Sequence, residues 1–129
     1  MSGKYLLDTN IVIALFASDA AVVGRIGKVE NIFVPSVVIG ELFYGAEKSS
    51  KPKRNSERIE RFVSDNVILN CNMRIARLYG KVKNNLREKG RPIPENDIWI
   101  VATAFWHDLI LVSRDGHFEE VKDLKLERW

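Results

Sequence analysis

Residues 4–16 read KYLLDTNIVIALF, and the change of pattern inside this stretch decides the architecture. Tyr5, Leu6 and Leu7 form an apolar run of strand length, Asp8, Thr9 and Asn10 are all residue types that cap helices, and an apolar helix follows from about Asn10. A strand over residues 4–8 that passes directly into a helix is the opening of a βα unit.

The same alternation continues along the chain. A helix is expected over residues 19–28, and residues 32–34 (IFV) read as a strand stopped by Pro35, after which Ser36 can cap a helix reaching about Glu47. Residues 49–56 (SSKPKRNS) read as a polar, mobile loop ahead of a helix over residues 57–64, and residues 67–69 as a third strand. Beyond Asn72 the residues Ile75, Leu78, Tyr79, Val82 and Leu86 lie on one helical face, with Arg74, Arg77 and Lys81 as a basic stripe beside it, until Gly90 and Pro92 break the helix. Asn96 or Asp97 is placed to cap an apolar helix through Trp106. A strand over residues 109–112, a turn over residues 114–116, one helical turn and a last strand near residues 126–128 follow. Strands alternating with helices imply a mostly parallel sheet covered on both faces, and such sheets bind ligands at the carboxyl ends of their strands.

A chain of 129 residues fits one domain, residues 1–129, without internal repeat or linker. A domain of this length hides roughly 65–70% of its unfolded surface, so it can build a core without staples. With 46% hydrophobic and 29% charged residues the composition excludes disorder and low complexity. The longest apolar run, residues 11–17, falls far short of the roughly 18 residues of a membrane helix. No basic-then-apolar signal pattern opens the sequence, so a cytoplasmic protein with no membrane contact is expected. Cys71 is the single cysteine, which excludes an internal disulfide and a multi-thiolate metal site. His107 and His117 lack zinc-site spacing and are expected at the surface or in packing. Nucleotide triphosphate chemistry has no support: G-x-G-x-x-G is missing, and the segment from Gly24 to Lys28 is too short for a phosphate-binding loop. Serine-nucleophile chemistry lacks its G-x-S-x-G as well.

The formal net charge of +3 conceals a strong asymmetry. Residues 48–61 and 74–91 hold 13 of the 20 Lys and Arg with only Glu57, Glu60 and Glu88 as acids, a net +10 against −7 for the remainder. An acidic body carrying two basic segments suits a polyanionic partner held near a carboxylate-rich centre. Lys51, Lys53, Arg54, Arg74, Arg77 and Lys81 are the candidate contacts to its backbone.

The acids sit where the sheet-edge rule points. Asp8 ends the first strand and Asp115 follows the fourth by three residues, although Asp8 is equally suited to cap a helix and Asp115 to form the turn before Gly116. Asp97, at the start of a helix, has the same second explanation. Glu41 has none, because it lies in VVIGELFY (residues 37–44) among apolar residues and belongs near the buried edge of its helix, where an ionised carboxylate needs a cation or strong donors. A local salt bridge is the competing account. Four such acids can converge on one hard cation, Mg²⁺ or Mn²⁺, as phosphodiester hydrolysis requires.

Leu7, Asp8, Thr9 and Asn10, then Glu41 and Leu42 ahead of Gly45, then DIWIVATA from Asp97, then SRDGHF from Ser113, give an order and spacing that resembles PIN-domain ribonucleases. Length and motif order are similar to the VapC toxins of bacterial and archaeal toxin–antitoxin pairs, over essentially the whole chain. The resemblance implies a three-layer α/β/α fold with a parallel sheet and a Mg²⁺- or Mn²⁺-dependent endoribonuclease. It also implies Asp8, Glu41, Asp97 and Asp115 as catalytic metal ligands, the last often acting through water. Thr9, Asn10 and Ser113 match positions whose small polar residues orient those acids. A VapB-type antitoxin and a homodimer are further implications, the latter also suggested by Trp99, Phe105, Trp106 and the apolar first helix.

Two other classes compete. In a Mg²⁺-dependent phosphohydrolase with Asp8 as nucleophile a second acid two residues on is usual, and that position is Asn10. A non-catalytic RNA- or protein-binding module would explain the charge map but leaves Glu41 unexplained.

Overall fold

A computed structural model describes residues 3–129. Its elements run β1 (Lys4–Leu7), α1 (Thr9–Phe16), α2 (Ala20–Ile26), β2 (Asn31–Pro35), α3 (Ser36–Glu47), α4 (Pro52–Asp65), β3 (Val67–Leu69), α5 (Met73–Glu88), α6 (Glu95–His107), β4 (Ile110–Val112), a 3₁₀ turn (Gly116–Glu120) and β5 (Leu126–Glu127). The strands form one sheet in the order β3-β2-β1-β4-β5, and every pairing is parallel. The sheet is thus wholly rather than mostly parallel.

Successive side chains of a strand point to opposite faces. Tyr5, Leu6 and Leu7 are all buried, so helices cover both faces of the central strand and the α/β/α layering holds. The chain steps outward from β1 to β2 to β3 and then crosses back to β4 on the other side of β1. The order reverses between β1 and β4, and the carboxyl ends of those two strands flank the crevice where ligands bind in such sheets. Leu6 pairs with Leu111 and Leu7 with Val112, which places Asp8 level with Ser113.

Three helix starts differ from the sequence reading. The polar stretch at residues 49–56 is a loop only as far as Lys51, because α4 begins at Pro52. Proline at the first helical position lacks an N–H that would have no partner there anyway, and Lys and Arg are good helix formers. Helix α6 is capped by Pro94, without a side-chain cap, instead of by Asn96 or Asp97. Asp97 lies inside the first turn, so capping does not account for it. Ser36 is likewise the first residue of α3, after a side-chain-free cap at Pro35. Helix α5 ends as read: Gly90 takes φ +70°, a conformation that strains other residues, and Arg91 N–H closes the turn on Leu86 O at 2.9 Å. No single helix among the described residues is long and apolar enough to cross a membrane.

Candidate active site

Asp8, Thr9, Asn10, Ile13, Glu41, Glu95, Asp97, Asp115 and His117 line a cleft of about 470 Å³ at the carboxyl edge of the sheet. All four expected acids meet there, carried by the β1–α1 junction, α3, the first turn of α6 and the loop after β4.

Asp8 is 5% exposed. Its carboxylate accepts from Thr9 N–H at 2.8 Å, the capping contact of α1, and from Ser113 Oγ at 2.7 Å. The same side chain therefore caps a helix and faces the cleft. Burial pushes its pKa up, against those two hydrogen bonds, and the charge of Asp115 adds to the rise. Glu41 is half-buried and accepts from Thr9 Oγ1 at 2.9 Å. Among the described residues it has no salt bridge, so the competing account of this acid fails.

Asp97, with a side chain only 14% exposed, carries the strongest electrostatic signature. Its pKa is pushed up to about 6, chiefly by burial and further by the charges of Asp8 and Glu41, while the His117 contact opposes the rise. Asp115 is the most open of the four; it accepts from His117 N–H at 3.3 Å and starts the 3₁₀ turn.

The small polar residues are linked by hydrogen bonds, Thr9 and Ser113 directly to acids and Asn10 only through Ser113. Ser113 Oγ donates to Asp8 and accepts from Asp115 N–H at 3.0 Å and from Asn10 Nδ2 at 3.4 Å. Asn10 Oδ1 in turn accepts from Arg114 N–H at 3.3 Å. Arg114 anchors this loop from behind through Trp129 O at 2.7 Å and Asp19 Oδ2 at 3.1 Å. Asn10 thus holds the β4 loop against α1, in the position two residues after Asp8 where aspartyl-nucleophile phosphohydrolases usually carry their second acid.

His117 is the residue that sequence reading missed. It is neither a free surface residue nor core packing: Nε2 contacts Asp97 Oδ2 and Nδ1 lies 2.7 Å from Asp115 Oδ1. Ligand atoms of Asp97, Asp115 and His117 all fall within 4.8 Å of one another. The spacing of His117 two residues after Asp115 was its only sequence signal, and that signal is too common to single it out.

Among the described residues no Lys or Arg pairs with Asp8, Glu41, Asp97 or Asp115. Four carboxylates crowded without a Lys or Arg partner, with only His117 beside two of them and with the pKa values of Asp8 and Asp97 raised, form an oxygen donor set that suits a hard divalent cation.

The expected RNA contacts lie outside the cleft. Lys51, Lys53 and Arg54 are exposed at the start of α4, and Arg74, Arg77 and Lys81 are exposed along α5. Of the aromatic residues, Trp99 stacks on Tyr79 with ring centroids 4.0 Å apart, Phe105 is half-buried, and Trp106 is exposed.

Residues 5–124 match the PIN domain family. The chain is 41% identical to ribonuclease VapC2 of Haemophilus influenzae over 98% of each sequence. It is 36% identical to the tRNA(fMet)-specific endonuclease VapC of Shigella flexneri, again over 98% of each. Its fold superposes on a chain of the Rickettsia felis VapBC2 complex, solved bound to a DNA fragment from its promoter, with a TM-score of 0.90, 29% identity and coverage of 97% of this chain and 98% of that one.

Proposed function

The chain belongs to the PIN domain family and within it to the VapC ribonucleases of toxin–antitoxin systems, and from that membership we propose that it is an endoribonuclease dependent on Mg²⁺ or Mn²⁺. The observation that carries the metal dependence is the convergence of Asp8, Glu41, Asp97 and Asp115 on one cleft without a neutralising Lys or Arg.

In this reading Asp8, Glu41 and Asp97 are the principal ligands and Asp115 is auxiliary. When bound, the cation lowers the pKa of a nearby water and offsets charge that builds on the phosphate. Thr9 fixes Asp8 through its backbone N–H and Glu41 through its hydroxyl, and so sets two carboxylates relative to one another. Ser113 donates to one oxygen of Asp8 and orders the Asp115 loop. Water attacks phosphorus in line, the P–O3′ bond breaks, and O3′ leaves with a proton. The products are a 5′-phosphate and a 3′-hydroxyl.

Purified protein incubated with total cellular RNA is expected to cut it with Mg²⁺ or Mn²⁺ and to stop in EDTA. Full activity in EDTA, or 2′,3′-cyclic phosphate ends, contradicts the reading, since cyclic ends arise from the RNA's own 2′-hydroxyl. Structured RNA is the proposed substrate, and transfer RNA is the first class to test given the specificity named for the Shigella relative.

Lys51, Lys53 and Arg54 belong to the same proposal. If they contact phosphates, neutralising all three shallows the salt dependence of RNA binding by about 2, at roughly 0.7 per single-strand contact. An unchanged slope removes them from the interface.

An antitoxin of the VapB type is the proposed protein partner. Ile13 lines both the acidic cleft and an adjoining apolar one of about 240 Å³ bounded by Phe16, Leu42, Ala46 and Ile59. A peptide with an apolar residue followed by a basic one fits the pair, the base meeting the carboxylates. A homodimer belongs to this reading too.

A further inference from the structure

Helices α5 and α6 run antiparallel. Lys83 Nζ lies 3.1 Å from Glu95 Oε2, Tyr79 stacks on Trp99, and the Arg74 guanidinium lies over the Trp106 ring at 5.0 Å. This seam starts at the acidic cleft, of which Glu95 is a wall, and its far end lies about 14 Å beyond Asp97 at the helical rise per residue. There the two helices bound a second groove of about 590 Å³, lined by Met73, Arg74, Arg77, Leu78, Lys81 and Trp106.

The chemistry of this groove is cationic and aromatic. Arg74, Arg77 and Lys81 fall on one face of α5, and among the described residues none of them is in an ion pair. Like charges at such spacings weaken a helix, so an external anion that neutralised them would also relieve their repulsion. Trp106 is 39% exposed and Met73 78% exposed. With the Arg74 guanidinium over the Trp106 ring the two planar groups form a stack that a nucleobase extends, since bases stack on aromatic rings and on guanidinium planes alike, and a thioether adapts to whatever shape the base presents.

We propose that this groove is a second RNA-binding site, remote from the acidic cleft, which takes an unpaired base on Trp106 and the neighbouring phosphates on Arg74, Arg77 and Lys81. The proposal rests on the reading of the chain as a ribonuclease and adds a point of attachment outside the reacting centre. A long substrate is then held at both ends of the α5–α6 seam. A second copy of the chain is the poorer occupant, because a two-fold contact would set three cations against the same three.

Binding of a fluorescein-labelled poly-uridylate strand, followed by anisotropy in EDTA across a salt series, tests this directly. Replacing Arg74, Arg77 and Lys81 together with Gln is expected to reduce the salt slope by about 2, at roughly 0.7 per lost contact. Trp106→Ala is expected to weaken binding about tenfold with the slope retained, since stacking is worth about that much per base. Arg74→Lys with Arg77→Lys keeps the slope, which separates charge from folding, and Lys28→Gln, a charge loss on another part of the surface, leaves it as it was. Wild-type slope and affinity in both the triple variant and Trp106→Ala overturn the proposal. So does a triple variant that changes only the mass in solution, which makes the groove a contact between copies. Failure of the nuclease reading looks different: the strand binds with its full slope, and total cellular RNA is not cut with Mg²⁺ or Mn²⁺.

Discussion

Asp97→Asn is expected to abolish RNA cleavage and, at the same time, to make the metal-free protein harder to melt. Both effects have one cause. Asp97 is ionised at neutral pH in a place that resists its charge, because it is largely buried and shares the cleft with Asp8 and Glu41, and its pKa of about 6 against an ordinary 3.8 measures that resistance. At 1.36 kcal/mol per pKa unit the burden is at most about 3 kcal/mol, and water entering the open cleft reduces it. Asparagine has nearly the same shape and no charge. The melting temperature in EDTA is therefore expected to rise by roughly 3–8 °C, the range that 1 to 2 kcal/mol gives in a domain of this size. Cleavage should fall by more than about 100-fold, beyond the usual cost of losing a hydrogen bond that merely supports a metal ligand. Mn²⁺ is expected to stabilise the wild type by mass action, by about 2.7 kcal/mol at a hundredfold excess over its dissociation constant, and this gain should shrink in the variant. Asp65, exposed at the end of α4, supplies the control Asp65→Asn. Wild-type cleavage together with a control-like Mn²⁺ shift in Asp97→Asn would sink the assignment of this carboxylate to a metal.

Stability in EDTA should fall as pH rises from about 4 to about 6, and then level off, in the part of the curve that Asp97 controls. Between the ordinary carboxylate pKa of 3.8 and the folded value of about 6, the native state holds the Asp97 proton that the unfolded chain has released. Raising the pH removes that proton at the expense of the native state. Asp8, raised mainly by burial, contributes with the same sign. Asp19 and Asp108 act in the opposite sense: the Val22 N–H and Arg114 lower the pKa of Asp19, and Lys125 lowers that of Asp108, so their stabilisation is lost as pH falls through their depressed pKa values. Asp108 is exposed and Asp19 half-buried, and subtracting the Asp97→Asn melting curve from the wild-type curve cancels them. The difference should be largest above about pH 6 and close toward pH 4. With Mn²⁺ present the trend should reverse, because a cation binds the deprotonated carboxylates. Parallel wild-type and variant curves in EDTA would mean that Asp97 titrates normally.

Local chemistry was legible in the sequence, and convergence was legible only in part. The helical face of Ile75, Leu78, Tyr79, Val82 and Leu86, the stop at Gly90, and the strand-to-helix passage at Asp8 depend on contacts within a few residues, so their signals survive in one dimension. Glu41 stood out because a carboxylate inside an apolar run has an energetic cost that its neighbours alone reveal. The starts of α4 and α6 are illegible for a related reason: a proline that opens a helix and a proline that ends a loop look alike until the chain packs, so the sequence starts α4 late and leaves Asp97 open to a capping role beside its role as a candidate ligand. His117 was out of reach, since its meaning lies in Asp97, a residue on another element. That meeting depends on the register of β1 with β4 and on the crossover that carries α6 beside them. The residue types and their order were thus determined by the sequence itself. The parallel strand order and its reversal beside β1 decided which carboxylates share a cleft, because burial and mutual repulsion act only between side chains that the fold has already brought together.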